Sequence, residues 1–350
     1  MYTEEKAREL LVEAGLRLVE SGLIARTWGN ISAKISEDEF IITPSGIPYE
    51  RLTPEMMVKV KISDLSYAGD IKPSSEKGIH AKAYLHREDV NFIIHTHQTY
   101  ATALSVTYMD MDIEDSEKAA ILGDKLVTAR YGMPSTKKLM HNVEAAIVRN
   151  PKANSILLMN HGTLCMGRDY EDAFLIANTL EELAEKMVNR KIKIDNNEER
   201  EGEEFIAIAR EYVKDRVITF DGSPITRKMS SLIDNNMHLL DDYVQIAGKR
   251  IATVNAEKSK LKEKADREAA GKEIRRALNK STVVFIKDEG AIIGAPSEDE
   301  GKAIKSILNK YGIARLYAAG NEAVHKIKPL DAVIQRFVYV KKYSKKAKEQ

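Results

Sequence analysis

Apolar and polar positions follow a regular order along the first half of the chain and predict alternating helices and strands. Residues 3–21 carry Ala7, Leu11 and Leu18 on one stripe of a helix, and Gly22 is typical of a helix end. Short apolar runs bounded by polar or glycine-rich stretches predict strands instead. The remaining helices are predicted over residues 75–86, 99–105, 135–148 and 170–190, and the strands over 31–35, 40–42, 57–62, 91–95, 125–130 and 156–159.

The spacing of these elements indicates the fold class. Many connections are too short for the crossovers that parallel neighbours need, so we expect an α/β fold, a three-layer α/β/α sandwich around a mostly antiparallel or mixed sheet. A wholly polar stretch, residues 195–202, is the best linker candidate. We therefore expect a first domain over 1–195, a linker over 196–202 and a smaller α/β domain over 203–350.

The second half contains an echo of the first. Residues 283–290 resemble residues 156–162, since each is an apolar strand followed by a polar step and a glycine, and Glu289 stands where His161 stands. The first half also contains the pair His95-Thr96-His97, and no such His-x-His pair occurs in residues 203–280. We expect a partial, degenerate copy of the first domain without a metal site. The alternative is that strand, glycine and helix simply form a common pattern.

Composition and charge exclude several classes of function. The chain has 350 residues, and its 54 Lys and Arg nearly cancel its 53 Asp and Glu, which argues against a nucleic-acid partner. No apolar run approaches the roughly 20 residues of a membrane helix, and the first residues do not resemble a secretory signal. Cys165 is the single cysteine, which excludes an internal disulfide. We expect a cytoplasmic protein without a membrane partner.

The candidate chemistry centres on three histidines. His95 and His97 close an apolar run, and side chains two residues apart on a strand point to the same side. His161 closes a second apolar run. With Glu76 they form a ligand set typical of a catalytic Zn²⁺ site, and Mn²⁺, Co²⁺ or Fe²⁺ also accept such ligands. A single histidine at a strand end is more often structural, so the prediction depends on the whole set.

Three loops rich in Gly, Ser, Thr and Asn accompany the histidines. They span residues 27–32, 43–49 and 72–76, and they offer N–H and hydroxyl donors to an anion. Each loop alone is also typical of a helix cap or a turn. His80 lies one helical turn after Glu76. We interpret it as a support for Glu76, and a further metal ligand or a purely structural residue are the alternatives.

In this order the motifs resemble those of the class II aldolase/adducin family, to which L-fuculose-phosphate aldolase belongs. The resemblance covers residues 5–190, and the second half resembles the degenerate second module of longer members. The matching stretches are Gly29–Ser32 (Gly-Asn-Ile-Ser), Thr43–Gly46 (Thr-Pro-Ser-Gly), Pro73–Glu76 (Pro-Ser-Ser-Glu) with His80, His95–His97 (His-x-His) and Asn160–Gly162 (Asn-His-Gly).

The resemblance implies a zinc-dependent aldolase and gives each residue a role. Zinc would be held by His95, His97 and His161, and Glu76 would be a fourth ligand that leaves to act as general base. The substrate would be a sugar phosphate cleaved through an enediolate, for example to dihydroxyacetone phosphate and an aldehyde. The protein would be a homo-oligomer. The implied phosphate-binding residues are Thr27, Asn30, Ser45, Gly46, Ser74 and Ser75.

One departure from the family pattern leaves the reaction open. The family aldolases take a proton donor, a tyrosine, from a neighbouring subunit, but residues 112–120 contain no tyrosine. Glu117 is the candidate replacement, with Asp115 and Glu114 as alternatives. A sugar-phosphate 4-epimerase or a dehydratase on the same metal site therefore remains an alternative. A third, of another class, is a non-catalytic scaffold like the adducin heads.

Overall fold

The computed structural model describes residues 1–24, 28–192, 198–232, 237–248, 251–321 and 323–346. They form two compact units, the first made of Met1–Arg190 with Asn321–His325 and the second of Lys191–Gly320 with Lys326–Gln350. Of the predicted linker, residues 196 and 197 lie outside the described residues, and 198–202 form neither helix nor strand. Within the described residues, no helix is both long and apolar enough to cross a membrane.

The first unit contains every helix and strand predicted for it, and their ends differ from the predicted ones by at most two residues. Its helices are α1 (Glu4–Glu20), α2 (Lys77–His86), α3 (Thr99–Leu104), α4 (Ser116–Leu122), α5 (Lys137–Arg149) and α6 (Tyr170–Asn189). Its strands are β1 (Asn30–Lys34), β2 (Glu39–Ile42), β3 (Val58–Lys61), β4 (Phe92–Thr96), β5 (Met111–Asp112), β6 (Lys125–Ala129), β7 (Ser155–Leu158) and β8 (Gly162–Gly167). Three elements, α4, β5 and β8, were not predicted from the sequence.

The strands form one mixed sheet, which confirms the predicted fold class. The eight strands lie in the order β3-β2-β1-β4-β8-β7-β6-β5, and β6 and β7 are the parallel pair in it. Helices α2 and α5 bury Ile79, Tyr84 and Val143 against one face of this sheet. Side chains of alternate parity, such as Phe92 beside Tyr170, face α6 on the opposite side. The sheet therefore lies between two helical layers.

Local sequence signals explain where these helices begin. The Thr3 hydroxyl accepts a hydrogen bond from the backbone N–H of Lys6 at 3.2 Å and caps α1. The Asp169 carboxylate caps α6 in the same way through the Asp172 N–H at 2.9 Å. These short polar side chains satisfy donors that the first turn of a helix leaves without partners.

The second unit is a smaller α/β body. Its helices are α7 (Glu203–Tyr212), α8 (Pro224–Ser230), α9 (Asp241–Ala247), α10 (Lys264–Leu278), α11 (Glu298–Ala319) and α12 (Pro329–Lys346). Its strands are β9 (Val217–Asp221), β10 (Ala252–Val254), β11 (Val283–Ile286) and β12 (Gly290–Ala295), in the sheet order β10-β11-β12-β9. The parallel pair in this sheet is β10 with β11.

This small sheet has the strand arrangement of part of the large one. The parallel pair β10/β11 and the antiparallel strands β12 and β9 follow the order of β6/β7, β8 and β4. The turn between β11 and β12 holds Asp288 at φ 63°, and the turn between β7 and β8 holds Asn160 at φ 61°. Glu289 follows Asp288 as His161 follows Asn160. This topology is what a partial duplication would produce, and the duplication itself stays a prediction.

Candidate metal centre

The large sheet brings the three predicted histidines together. His95 lies in β4, His97 follows the end of that strand, and His161 lies in the turn between β7 and β8. Each offers one possible ligand atom, and these atoms lie within 4.8 Å of one another. The ring centroids are 4.6 to 5.1 Å apart. Among the residues that the structure describes, this is the one cluster of three or more His, Cys, Asp or Glu residues suited to a metal.

Glu76 completes the cluster from the start of α2. Its Oε2 lies 3.1 Å from His95 Nε2, and its Oε1 lies 3.2 Å from His161 Nε2. Both His95 Nε2 and Glu76 Oε1 are buried, yet neither forms a hydrogen bond of good geometry. Buried nitrogen and oxygen atoms that face one another in this way fit a shared cation, because each can direct a lone pair towards it. The donor set thus fits a divalent transition metal.

The surroundings fix how these rings can bind. His95 Nδ1 donates to the backbone oxygen of Thr163 at 2.7 Å, which leaves Nε2 as the ring's acceptor atom. Gly162 leaves the space that the rings occupy, since a Cβ there would lie 3.0 Å from His97 Cδ2 and closer still to the Thr96 carbonyl oxygen. The glycine after His161 is therefore required by close approach of backbone and rings.

A buried chain of hydrogen bonds reaches Glu76 from the neighbouring strand. The Tyr84 hydroxyl lies 2.8 Å from Ser32 Oγ, and Ser32 Oγ lies 2.7 Å from His80 Nδ1. His80 Nε2 lies 2.5 Å from Asn30 Oδ1, and Asn30 Nδ2 donates to Glu76 Oε2 at 3.4 Å. Because Asn30 Oδ1 can only accept, His80 Nε2 carries the ring proton and donates it in this hydrogen bond. In the neutral ring Nδ1 then accepts a hydrogen bond from the Ser32 hydroxyl. His80 therefore supports Glu76 through Asn30 and is not part of the ligand cluster.

The electrostatics keep Glu76 charged and His80 neutral. Burial alone would raise the pKa of Glu76, but the neighbouring His161 and His95 outweigh it and hold that pKa well below its usual range. Burial is the largest cause that lowers the pKa of His80 to about 3, with His95 adding to it and Glu76 opposing it. Near pH 7 the centre therefore presents a carboxylate and a neutral supporting imidazole.

Two of the predicted anion-binding loops are joined next to Glu76. Pro44 and Pro73 form an antiparallel bridge, the Ser45 N–H donates to the Lys72 oxygen at 2.9 Å, and the Ser74 N–H donates to the Thr43 oxygen at 3.0 Å. The segment carrying Ser45 and Gly46 thus lies against the segment carrying Ser74 and Ser75.

The side chains of these loops are already engaged in the fold. Ser74 Oγ accepts the Glu76 N–H at 3.2 Å, and Ser75 Oγ accepts the Ser135 hydroxyl at 2.7 Å. Asn30 lies in β1 directly opposite His95, which brings the first loop to the same place. Thr27, the remaining predicted phosphate ligand, lies outside the described residues.

The structure does not bring the predicted proton donor to the cluster. Glu117 is exposed in the first turn of α4, where its backbone N–H donates to the Asp115 carboxylate at 3.2 Å. Within the described part of this chain, no contact joins it to Glu76 or to the three histidines. A role for Glu117 thus requires delivery from another copy of the chain, as the family resemblance implies for the tyrosine.

The sequence analysis assigned no supporting role to Ser32, Tyr84 or Thr163, whose contacts hold His80 and His95 in place. Ser32 could have been found, since it lies two residues after Asn30 on one strand and faces the same way. Tyr84 lies one helical turn after His80, which is a weaker signal. Thr163 contributes its backbone oxygen to His95, and no feature of its side chain marks that role.

Comparison with known proteins places this site in a family. The family model described as Class II Aldolase and Adducin N-terminal domain matches residues 9–188. A protein of Bacillus thuringiensis serovar kurstaki named 5-deoxy-D-ribulose 1-phosphate aldolase is 33% identical over 178 residues, which are 51% of this chain and 82% of that protein. The L-fuculose phosphate aldolase of Escherichia coli K12 is 32% identical over 185 residues, 53% of this chain and 83% of that protein.

A solved structure agrees with these relatives. The structure titled L-fuculose 1-phosphate aldolase aligns with a TM-score of 0.50 and 31% identity, covering 53% of this chain and 86% of that chain. The chain belongs to the class II aldolase and adducin family. The family match lies within the first unit, which also contains the whole histidine cluster.

Proposed function

We propose that this protein is a metal-dependent aldolase that cleaves a sugar phosphate. The observation that carries the proposal is the Glu76 carboxylate facing His95 and His161 at 3.1 and 3.2 Å, with His97 beside them. The names of the relatives, which are aldolases of 5-deoxy-ribulose and fuculose phosphates, support the same class of substrate. Zn²⁺ is the proposed ion because three imidazoles and a carboxylate suit its preferred ligation.

The three histidines would hold the metal, and Glu76 would share it until substrate arrives. A divalent cation bound there supplies Lewis-acid chemistry, which stabilises negative charge on adjacent carbonyl and hydroxyl oxygens of a ketose. Glu76 is ionised, so its carboxylate can accept a proton from a substrate hydroxyl placed within hydrogen-bond reach. The Asn30 amide, held by His80, keeps Oε2 of this base in place.

The joined loops would bind the phosphate of the substrate. Ser45, Gly46, Ser74 and Ser75 lie on these two joined loops beside the start of α2, where serine hydroxyls and the helix N-terminus favour an anion. We extend this pocket to Asn30 and, by the family resemblance, to Thr27. A phosphate held there would orient the reacting carbons, which lowers the entropic part of the barrier.

The proton donor defines a second candidate function. We propose that Glu117 reaches the site of a neighbouring copy in a homo-oligomer, because it is exposed on its own chain. Residues 112–120 lack a tyrosine, which also favours a 4-epimerase or a dehydratase on the same centre. Product analysis separates these functions: an epimerase returns a pentulose phosphate without cleavage, and an aldolase releases two fragments.

The variant Glu76→Gln tests the base assignment. It preserves the size of the side chain and removes its negative charge, so we expect bound metal to be retained and kcat to fall by about 10²–10⁴-fold. The matched control is Glu144→Gln, since Glu144 also contacts two histidines, His86 and His141, but on the exposed surface. An active Glu76→Gln enzyme that retains its metal would contradict the role of Glu76.

A further inference from the structure

A short segment from late in the chain lies against the turn that carries His161. Residues Asn321–His325 group with the first unit although the chain on both sides of them belongs to the second. Val324 bridges Thr107 in antiparallel fashion, and the His325 N–H donates to the Val106 oxygen at 2.8 Å. Neither the family match nor the predicted roles include this segment.

His325 forms two hydrogen bonds with Asn160, the residue immediately before the proposed metal ligand His161. Asn160 Oδ1 lies 2.6 Å from His325 Nδ1, and Asn160 Nδ2 donates to the His325 backbone oxygen at 3.0 Å. Because Oδ1 can only accept, His325 Nδ1 is the donor of the first bond. The two bonds leave the amide one orientation. The Tyr131 ring packs beside the His325 imidazole, with the two ring centroids 5.2 Å apart.

Asn160 has an uncommon backbone conformation, and hydrogen bonds on both sides of it fix the turn. Asn160 is fully buried and has φ 61°, a left-handed value that is uncommon for residues other than glycine. Its own N–H donates to the Ser105 oxygen at 3.2 Å, and the next N–H, that of His161, donates back to the Leu158 oxygen at 2.9 Å. The direction of the His161 ring therefore depends on the conformation of Asn160.

We propose that His325 is a positioning residue of the metal centre, which holds Asn160 and thereby the direction of His161. The inference rests on the proposed function, because it requires a metal at the three histidines. If the inference holds, the second half of the chain contributes to the metal centre through the segment Asn321–His325. Residues that orient metal ligands typically affect metal affinity or activity by about 10–100-fold.

Cobalt binding to the full-length protein tests the inference without relying on activity. Co²⁺ affinity is measured by chelator competition, and the visible absorption of bound Co²⁺ reports the ligand geometry. For His325→Ala we expect a Kd raised by about 10–100-fold and an altered spectrum. His325→Asn keeps a donor near the position of Nδ1 and should restore most of the affinity. His86→Ala, at a surface histidine, is the matched control and should bind like wild type.

Asn160→Gly supplies an independent variant, because glycine readily adopts the left-handed backbone and removes the side-chain amide that His325 binds. It should weaken Co²⁺ binding as His325→Ala does, and the double variant should be no weaker than either single one. If His325→Ala does not fold, Asn160→Gly and His325→Asn decide the question. Unchanged affinity and spectrum in folded variants would overturn the inference and leave the proposed function intact. Absence of Co²⁺ and Zn²⁺ binding by wild type would overturn both.

Discussion

The buried imidazole of His80 should make the first unit sensitive to acid. Its pKa is about 3 in the folded chain, against an ordinary value of 6.5. Below pH 6.5 His80 is therefore protonated in the unfolded chain but stays neutral in the folded chain. The free energy of unfolding then falls by about 1.4 kcal/mol for each pH unit. The contribution is complete above pH 6.5 and is lost as the pH falls towards 3, by about 5 kcal/mol at most.

The variant His80→Gln isolates this contribution from all other titrating groups. Gln retains a donor for Asn30 Oδ1 but loses the acceptor for the Ser32 hydroxyl. One buried hydrogen bond left unmade costs about 1–3 kcal/mol, so the variant should be less stable than wild type by that amount at pH 8. At pH 5 the wild type should have lost about 2 kcal/mol that the variant keeps, and the two stabilities should converge.

Urea unfolding between pH 8 and 5, followed by tryptophan fluorescence, measures this difference. Trp28 is the single tryptophan of the chain and is buried, so its signal reports the first unit. A chelator is kept present throughout, because bound metal would itself stabilise the folded state. A stability difference between wild type and His80→Gln that stays constant from pH 8 to pH 5 would refute the burial of a neutral His80.

Three further outcomes are expected. Gly162→Ala places a Cβ against the Thr96 carbonyl oxygen, so Co²⁺ affinity should fall at least about 10-fold and stability by about 1–3 kcal/mol, whereas Gly301→Ala, with ordinary contacts, should leave Co²⁺ affinity unchanged. Glu144→Gln should cost less than about 1 kcal/mol at pH 7, and this difference should vanish as the pH falls from 4.5 towards 2, since Lys82 above all lowers the pKa of Glu144 to about 2. Chelation of a metal present at about 100 times its Kd should lower the stability of the first unit by about 2.7 kcal/mol, measured by the same fluorescence signal.

One pair of the ligand cluster, His95 and His97, could be predicted from the strand pattern because its geometry is local. His95 and His97 are two residues apart at the end of a strand, and a period of two places them on one side without knowledge of the fold. The pairing of β1 with β4, which sets Asn30 opposite His95, is a long-range register that no local pattern records. The role of His80 was consequently foreseen only in outline.

The elements missed from the sequence lack the periodicity on which prediction depends. In β8 all six residues are buried, so the strand shows no alternation. In α4 Leu122 is the one buried residue, and so short a helix shows no apolar stripe. The segment Asn321–His325 groups with the first unit through tertiary contacts between distant parts of the chain, and local sequence patterns do not record such contacts.

The central claim is that Glu76 and the three histidines form an aldolase centre for a sugar phosphate. The direct measurement is a retro-aldol assay on zinc-loaded, full-length protein with a panel of ketose 1-phosphates, scored for dihydroxyacetone phosphate. We expect release from at least one member of the panel, stopped by a chelator and by Glu76→Gln. Stoichiometric zinc with no cleavage of any ketose phosphate would contradict the aldolase assignment and favour epimerase or dehydratase chemistry.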